Sequence, residues 1–356
     1  SAGGILKSEL KKMGSFLLRI AEENSVPAGG ALAVNRDEFS QAVTEKISSH
    51  PNIHVTHAEV TELSDEPTVI AAGPLCSDSL YEAISQRIGT SKMSFFDAAA
   101  PIVSEESIDR SIAFSQSRYE DLGIGDYLNC PMNKEEYDRF VDELLAAKRV
   151  IGHDFDQSDL FQACQPIEEV ARTGHDSIRF GALKPVGLID PRTGKRPWAA
   201  VQLRAENTAK TAFNLVGFQT NLTWGDQKRV FSLIPGLGNA EFVRYGVMHR
   251  NSFVDSPHAL DESFGIPGTN TILAGQITGT EGYVEAIASG LLAALNMYAR
   301  LIYSEPVRLP LTTSFGSLVG YATNPETKDY QPMHVNFGIF EPLSEHIKRK
   351  DERRQK

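Results

Sequence analysis

The chain has 356 residues, and its 41% hydrophobic and 23% charged content is typical of a globular protein with a sizeable core. Its net charge of −11 argues against nonspecific attraction to nucleic acid, although a local basic patch is compatible with it. No apolar run reaches the ~18 residues needed to cross a membrane. Three cysteines are too few for a disulfide framework. We therefore expect a cytoplasmic protein without a membrane segment.

The first predicted element is one amphipathic helix. Its apolar residues recur at spacings of three and four, at Leu6, Leu10, Met13, Leu17 and Ile20. No strand and glycine-rich turn precede this helix in the sequence. A nucleotide-binding α/β domain would therefore lack its first βα unit here.

The next elements alternate between helix and strand. Helical spacing covers residues 36–49, residues 53–60 alternate as a strand does, and residues 68–73 form a short apolar run that ends at a glycine. This order predicts an open, mainly parallel sheet.

The middle of the chain has a different character. Residues 134–147 predict a helix, and residues 198–204 and 212–218 predict strands separated by Gly, Pro and Asn turns. We interpret residues 81–255 as an inserted α+β domain.

A glycine-rich bend follows the strand that begins at Ile272. The strand ends near Gly275, and a helix of small residues begins near Glu281, so the first amides of the helix have no intrahelical partners. Such amides, with the positive end of the helix dipole, suit a pyrophosphate or the electron-rich edge of a flavin. A tight turn that serves packing alone is the alternative. The residues predicted to contact the flavin are Gly275, Gln276, Ile277, Thr278, Gly279, Thr280, Glu281, Gly282 and Tyr283.

These elements predict an α/β fold. Its discontinuous FAD-binding, Rossmann-like domain, truncated at its N-terminus, comprises residues 1–80 and 256–343 and is interrupted by the inserted domain. Residues 330–340 are apolar enough to pack against the core, and residues 344–356 form a charged tail.

Cys164 is the candidate nucleophile. It precedes a Gln-Pro-Ile-Glu stretch that predicts a helix start, and a helix N-terminus lowers the pKa of a neighbouring thiol. A buried, unreactive cysteine is the alternative. We expect Cys130 and Cys76 to be structural. The histidines show no ligand-like spacing, so we predict no metal site.

Several long motifs resemble one family, the folate- and FAD-dependent tRNA uracil-C5 methyltransferases called TrmFO. The motifs include residues 26–34 (VPAGGALAV), 127–132 (YLNCPM), 164–169 (CQPIEE), 244–251 (RYGVMHRN) and 275–279 (GQITG). The resemblance extends to about residue 343.

The resemblance implies that 5,10-methylenetetrahydrofolate donates a carbon to the T-loop uridine of tRNA, which forms ribothymidine. It also implies bound FAD that is reduced by NAD(P)H. Within this chemistry Cys164 would attack uracil C6, and His249 would contact the folate. The basic residues Lys184, Lys195 and Arg196 would contact tRNA phosphates, although a solvated surface is the ordinary role of such residues.

One departure from the family leaves alternatives open. Family members begin with a dinucleotide-binding strand and a Cys-Ser-Asn-Ser stretch, and both would lie upstream of Ser1. The alternatives are a non-catalytic remnant that keeps a folate or tRNA surface, and an FAD-dependent protein of the MnmG type that modifies the wobble uridine. The sequence does not predict the oligomeric state.

Overall fold

The computed structural model describes residues 1–29, 31–89, 93–123, 125–150, 165–328 and 330–341. The helices within these ranges are α1 (Ala2–Lys12), α2 (Phe16–Glu23), α3 (Arg36–Ser48), α4 (Asp78–Ile88), α5 (Lys134–Ala146), α6 (Ile167–Arg172), α7 (Ser177–Phe180), α8 (Trp224–Phe231), α9 (Ser256–Ala259), α10 (Tyr283–Leu301) and α11 (Ser314–Thr323). The strands are β1 (Ser25–Val26), β2 (Ala33–Val34), β3 (Thr68–Ile70), β4 (Met93–Ala98), β5 (Ile102–Ser104), β6 (Phe114–Ser115), β7 (Tyr127–Met132), β8 (Ala199–Ala205), β9 (Ala212–Leu215), β10 (Phe242–Arg244), β11 (Met248–Phe253) and β12 (Thr271–Leu273).

The chain divides into two compact units. Unit 1 contains residues 1–18, 57–93 and those from 252 onward, and unit 2 contains residues 19–56 and 94–251. Both units are therefore discontinuous in sequence. The division differs from the predicted one mainly at residues 19–56, which belong to unit 2. The assignment of the units as an FAD-binding and an inserted domain stays a prediction.

Unit 1 is built on a parallel strand pair. Strands β3 and β12 run side by side, with Thr68 opposite Thr271 and Ile70 opposite Leu273. The helix α10 packs against both strands, and the helices α1 and α11 pack against each other. The parallel pairing agrees with the predicted sheet type. It places the end of β12, where the glycine bend begins, at the carboxyl edge of the pair.

The opening segment forms two helices where the sequence predicted one. Gly14 adopts a left-handed φ of +73°, and the amide of Ser15 donates to the carbonyl of Leu10, which ends α1 as a C-cap does. The Ser15 hydroxyl then accepts from the amide of Leu18 and starts α2. The prediction of one helix was wrong because apolar spacing continues across the glycine and hides the break.

The helix α1 also caps α11. Both carboxylate oxygens of Glu9 accept backbone amides at the start of α11, from Ser314 at 2.8 Å and from Phe315 at 2.9 Å. A carboxylate at this position stabilises a helix because it pairs with the unsatisfied amides and the positive end of the dipole.

Unit 2 is built on an antiparallel sheet. Its strand order is β10-β5-β9-β8-β7-β6, and each neighbouring pair is antiparallel. Helix α5 covers one face with Tyr137, Phe140 and Leu144, which are fully buried against sheet residues such as Val201 and Leu203. The predicted α+β character of this part of the chain is confirmed.

Residues 53–60 do not form the predicted strand. They have no assigned secondary structure, and their apolar side chains are exposed, at 43% for Ile53, 53% for Val55 and 54% for Val60. Alternation predicts a strand only where a sheet supplies a partner and a buried face, and among the described residues no strand pairs with this segment.

The segment after α11 packs back on unit 1, as predicted. Met333 exchanges backbone hydrogen bonds with the glycine bend, because its amide donates to Gly279 and its carbonyl accepts from Glu281. Tyr330 is 2% exposed. Within the described residues, no helix combines the length and apolar character needed to span a membrane.

Candidate functional site

The glycine bend of unit 1 depends on three glycines. Gly275 has φ +79° and ψ −160°, Gly279 has φ +78°, and Gly282 has φ +109°. Residues with a Cβ atom rarely adopt these conformations. Between the first two glycines the chain makes a 3-10 turn over Gln276–Thr278, and α10 begins after the third. The predicted strand, bend and helix are therefore present in this order.

The inner part of the bend is held by its own hydrogen bonds. Ile277 and Thr278 are fully buried. The hydroxyls of Thr278 and Thr280 donate to the carbonyl of Gly275, at 2.8 Å and 3.0 Å. The hydroxyl of Tyr330 donates to the carbonyl of Thr278 at 2.7 Å. These side chains shape the backbone of the bend and do not present polar groups to a ligand.

The outer part of the bend is accessible. Gly275, Gln276 and Gly282 are half-buried, and the Tyr283 side chain is exposed. The Gln276 amide nitrogen donates to Glu281 at 2.6 Å. No side chain caps the N-terminus of α10, a helix of 19 residues. The bend therefore offers backbone amides and the positive end of a long helix dipole.

Gly282 is closely approached by two side chains, and its positive φ leaves room for them. A Cβ atom at this position would lie 2.3 Å from a carboxylate oxygen of Glu285 and 2.8 Å from Nδ1 of His334. Glu285 is itself held in place, because its other oxygen accepts from the amide of Val335 at 3.2 Å. The first turn of α10 therefore has no side-chain cap and lies beside the exposed ring of Tyr283, with the Glu285 carboxylate in the same turn.

In unit 2, Cys164 lies outside the described residues. The chain on either side of it is anchored to the segment before α8. The amide of Val150 donates to Asn221 at 2.8 Å, and the amide of Ile167 donates to Gln219 at 2.7 Å. Helix α6 begins at Ile167 after Pro166, which agrees with the predicted helix start.

Two glutamates of α6 are buried. Glu168 accepts from the amide of Asn221 at 2.6 Å and from the hydroxyl of Thr220 at 2.9 Å. Glu169 forms an ion pair with Arg149 at 2.6 Å, and both side chains are 9% exposed. Burial raises the pKa of the Glu168 carboxyl above its ordinary value, although these hydrogen bonds oppose the shift. The sequence analysis did not single out this pair.

The raised pKa of Glu168 makes the effect of Glu168→Gln depend on pH. A carboxyl whose pKa is higher in the folded protein binds more protons there, so its contribution to stability falls as pH rises above its unfolded pKa. We therefore expect the variant to gain stability relative to the parent protein as pH rises above about 4.5. Urea unfolding at a series of pH values measures this difference. A difference that shrinks with rising pH would contradict the assignment.

The remaining predicted residues of unit 2 lie in two places. His249 is half-buried in β11. Lys184, Lys195 and Arg196 are exposed in the connection between α7 and β8, and Arg118 fixes this connection by donating to the carbonyl of Lys184. The three cations are therefore available to anions. Their role in RNA binding and the role of His249 in folate binding stay predictions.

Cys130 is a core residue, as predicted. It is fully buried in β7, and burial raises the pKa of its thiol to about 12. A thiol in this environment stays protonated and unreactive at neutral pH. Among the described residues, no cluster of His, Cys, Asp and Glu is arranged to hold a metal ion.

The sequence analysis also missed a column of stacked aromatic rings. Tyr245 stacks on Trp224, with centroids 5.5 Å apart and planes 12° apart, and on Phe242, at 5.1 Å and 9°. The rings come from α8, β10 and the loop after β10. Their spacing in sequence gives no periodic signal. A Trp close to Lys228 and Arg229 in sequence was nevertheless a usable hint.

Comparisons with known proteins show which family the chain matches. The family model described as "Glucose inhibited division protein A" matches residues 1–305. The chain is 49% identical to the Bacillus cytotoxicus protein named "Methylenetetrahydrofolate--tRNA-(uracil-5-)-methyltransferase TrmFO", over 100% of this chain and 82% of that protein. It is 52% identical to the protein of the same name from Geobacter sulfurreducens, over 99% of this chain and 82% of that protein.

A solved structure shares the fold. The structure of Aquifex aeolicus GidA in its form II crystal matches 90% of this chain with a TM-score of 0.68 and 14% identity. The chain spans 59% of the length of that protein. The likeness confirms the predicted α/β fold class, and the closer relatives confirm the resemblance found in the motifs. The chain belongs to the glucose inhibited division protein A family and, within it, to the TrmFO group.

Proposed function

We propose that this chain is an FAD-dependent tRNA uracil-C5 methyltransferase that takes its carbon from 5,10-methylenetetrahydrofolate. About half of its residues are identical to those of proteins named for this reaction, over nearly all of its length. The observation that carries the proposal is the N-terminus of α10, which has glycine at its cap position and no side-chain cap.

The residues of the bend would hold FAD through backbone contacts. The amides in the first turn of α10 point along the helix axis, so they suit the electron-rich edge of the ring. Tyr283 is exposed beside them and offers an aromatic face. When bound, FAD reduced by NAD(P)H supplies the electrons that convert a methylene group to a methyl group.

Cys164 is the proposed nucleophile toward the uracil ring. Addition of its thiolate at C6 makes C5 nucleophilic toward the one-carbon unit, and elimination after loss of the C5 proton restores the thiolate. Lys184, Lys195 and Arg196 would contact tRNA phosphates, and His249 would contact the folate. The T-loop uridine is the proposed target.

The reaction is tested with the protein that carries this sequence, supplied with FAD, NADPH, unmodified tRNA and folate labelled in its methylene carbon. We expect the label in 5-methyluridine after nucleoside analysis. Label in a wobble-position nucleoside instead would favour the MnmG-type alternative, which the identity to TrmFO proteins already disfavours. Absence of transfer together with absence of flavin absorbance would support the non-catalytic alternative.

The flavin site is tested by Gly282→Ala. The added methyl group would collide with the side chains of Glu285 and His334 and would require a φ that alanine avoids, so either these side chains or the backbone at the start of α10 must move. We expect the Kd for FAD, measured by flavin fluorescence, to rise at least tenfold.

The matched control is Gly290→Ala in the same helix. A Cβ atom there meets no atom within 4 Å, and alanine favours the helix. We expect its affinity for FAD to be unchanged. Equal affinities of the two variants would argue against a flavin at this helix end.

A further inference from the structure

The aromatic column of unit 2 runs from the core to the surface. Phe242 packs against the hydrophobic core of the sheet, Tyr245 stacks on it, and Trp224 stacks on Tyr245. Trp224 is the last ring of the column and is 59% exposed. A large apolar ring held parallel to two others therefore faces solvent.

Buried hydrogen bonds fix the position of this column. Gln227, one turn after Trp224 in α8, is fully buried and binds the loop that carries Tyr245. Its amide nitrogen donates to the carbonyls of Leu222 and Gly246, both at 2.8 Å, and its oxygen accepts the amide of Gly246 at 2.8 Å. The rings are therefore ordered before any partner binds, which lowers the entropy lost on binding.

Three exposed cations belong to the segments that carry or adjoin the exposed ring. Lys228 lies one turn after Trp224 in α8, Arg244 precedes Tyr245, and Lys148 is hydrogen-bonded through its carbonyl to the residue before Trp224. All three are exposed, and within the described ranges none of them forms an ion pair. The nearby Arg229 pairs with both Glu143 and Asp226, a group of net charge −1, so these six side chains together carry a net charge of +2. The local charge is therefore positive in a chain of net charge −11.

We propose that this column is a stacking platform for an unpaired base of an RNA loop, with Lys148, Lys228 and Arg244 contacting the adjoining phosphates. An exposed aromatic ring beside cations is how proteins bind single-stranded nucleic acid, because a base has a flat apolar face and its phosphates are anionic. Bases within a duplex do not offer that face. The inference rests on the proposed tRNA substrate and adds a second contact surface, separate in sequence from Lys184, Lys195 and Arg196.

The fluorescence of Trp224 tests the platform directly. The chain contains two tryptophans, so Trp198→Phe leaves Trp224 as the sole indole. We expect single-stranded oligouridylate to quench its emission, because a stacked base quenches indole. Inorganic polyphosphate of equal charge, which has no base, should leave the emission unchanged. Equal responses to the two polyanions would overturn the proposal.

Affinity for unmodified tRNA supplies the second measurement. We expect Trp224→Ala to raise the Kd about tenfold, since stacking of one base on an aromatic ring commonly contributes this much. Trp224→Phe keeps a ring and should stay within about threefold of the parent protein. The control Tyr303→Ala removes a ring that is 98% exposed in unit 1 and should leave the Kd unchanged. An unchanged Kd for Trp224→Ala would also overturn the proposal.

The cations are tested through salt dependence. Lys228→Gln and Arg244→Gln should each reduce the slope of log Kd against log salt concentration by about 0.7, because each phosphate contact releases counterions. The binding measurements require no catalysis. Failure of the platform therefore appears as unchanged binding by the Trp224 variants, whereas failure of the proposed function appears as absent methyl transfer by the unaltered protein.

Discussion

Replacing Gly279 by alanine is expected to lower the free energy of unfolding by about 3 kcal/mol. A Cβ atom at this position would lie 2.2 Å from the hydroxyl oxygen of Tyr330 and 2.7 Å from its ring. Tyr330 is 2% exposed and donates to the carbonyl of Thr278, so it cannot move without breaking that bond. Strain at a left-handed φ contributes ~1–2 kcal/mol, and overpacking contributes ~1–3 kcal/mol. Thermal unfolding followed by circular dichroism measures the loss.

The control Gly268→Ala separates strain from collision. Gly268 has a similar φ of +74°, and a Cβ atom there meets no atom within 4 Å. We expect this variant to lose only the strain contribution, about 1 kcal/mol. If Gly279→Ala lost no more than Gly268→Ala, the contact between the bend and Tyr330 would not hold the bend in place.

Replacing Gln227 by leucine is expected to destabilise unit 2 by about 3 kcal/mol or more. The change leaves the buried amide of Gly246 and the carbonyls of Leu222 and Gly246 without their partner. Each buried polar group left unpaired costs ~1–3 kcal/mol. Both tryptophans lie in unit 2, so urea unfolding followed by tryptophan emission reports on this unit. The near-ultraviolet dichroism of the aromatic column should also weaken.

Lys228→Gln is the matched control in the same helix. Lys228 is exposed and its neighbour Gln227 is not, so the two changes differ mainly in the buried hydrogen bonds. We expect the control to change stability by less than ~0.5 kcal/mol. A loss for Gln227→Leu as small as that would mean that the loop of Tyr245 is held by other contacts.

At the glycine bend, the sequence predicted the order of the backbone elements but not the contacts of the side chains. The strand, the bend and the helix start were predicted, because glycines at a strand end and small residues after it are local signals. The roles of individual side chains were not predictable. Thr278 was expected to face a ligand, yet it is fully buried and bonded to Gly275, since the segment that contains Tyr330 covers it.

The structure also shows contacts of Glu168 and Trp224 that the sequence analysis did not predict. Both residues lie in motifs of the family resemblance, but no role was assigned to either, because local sequence does not show the burial of a glutamate or the stacking of a tryptophan. Glu168 is buried because the segment at Thr220 and Asn221, more than 50 residues away, supplies its hydrogen bonds. Trp224 forms a column because Tyr245 is brought to it by a loop.

The sequence by itself determined the family, the α/β class, the helices α3, α5 and α10, the start of α6 and the position of the bend, since these depend on local spacing, glycine conformation and long motifs. Only the tertiary structure decided that the opening helix is broken at Gly14, that residues 53–60 have no partner strand, and which polar groups are buried. The physical reason is that burial and pairing depend on segments distant in sequence, and periodicity carries no information about which segments meet.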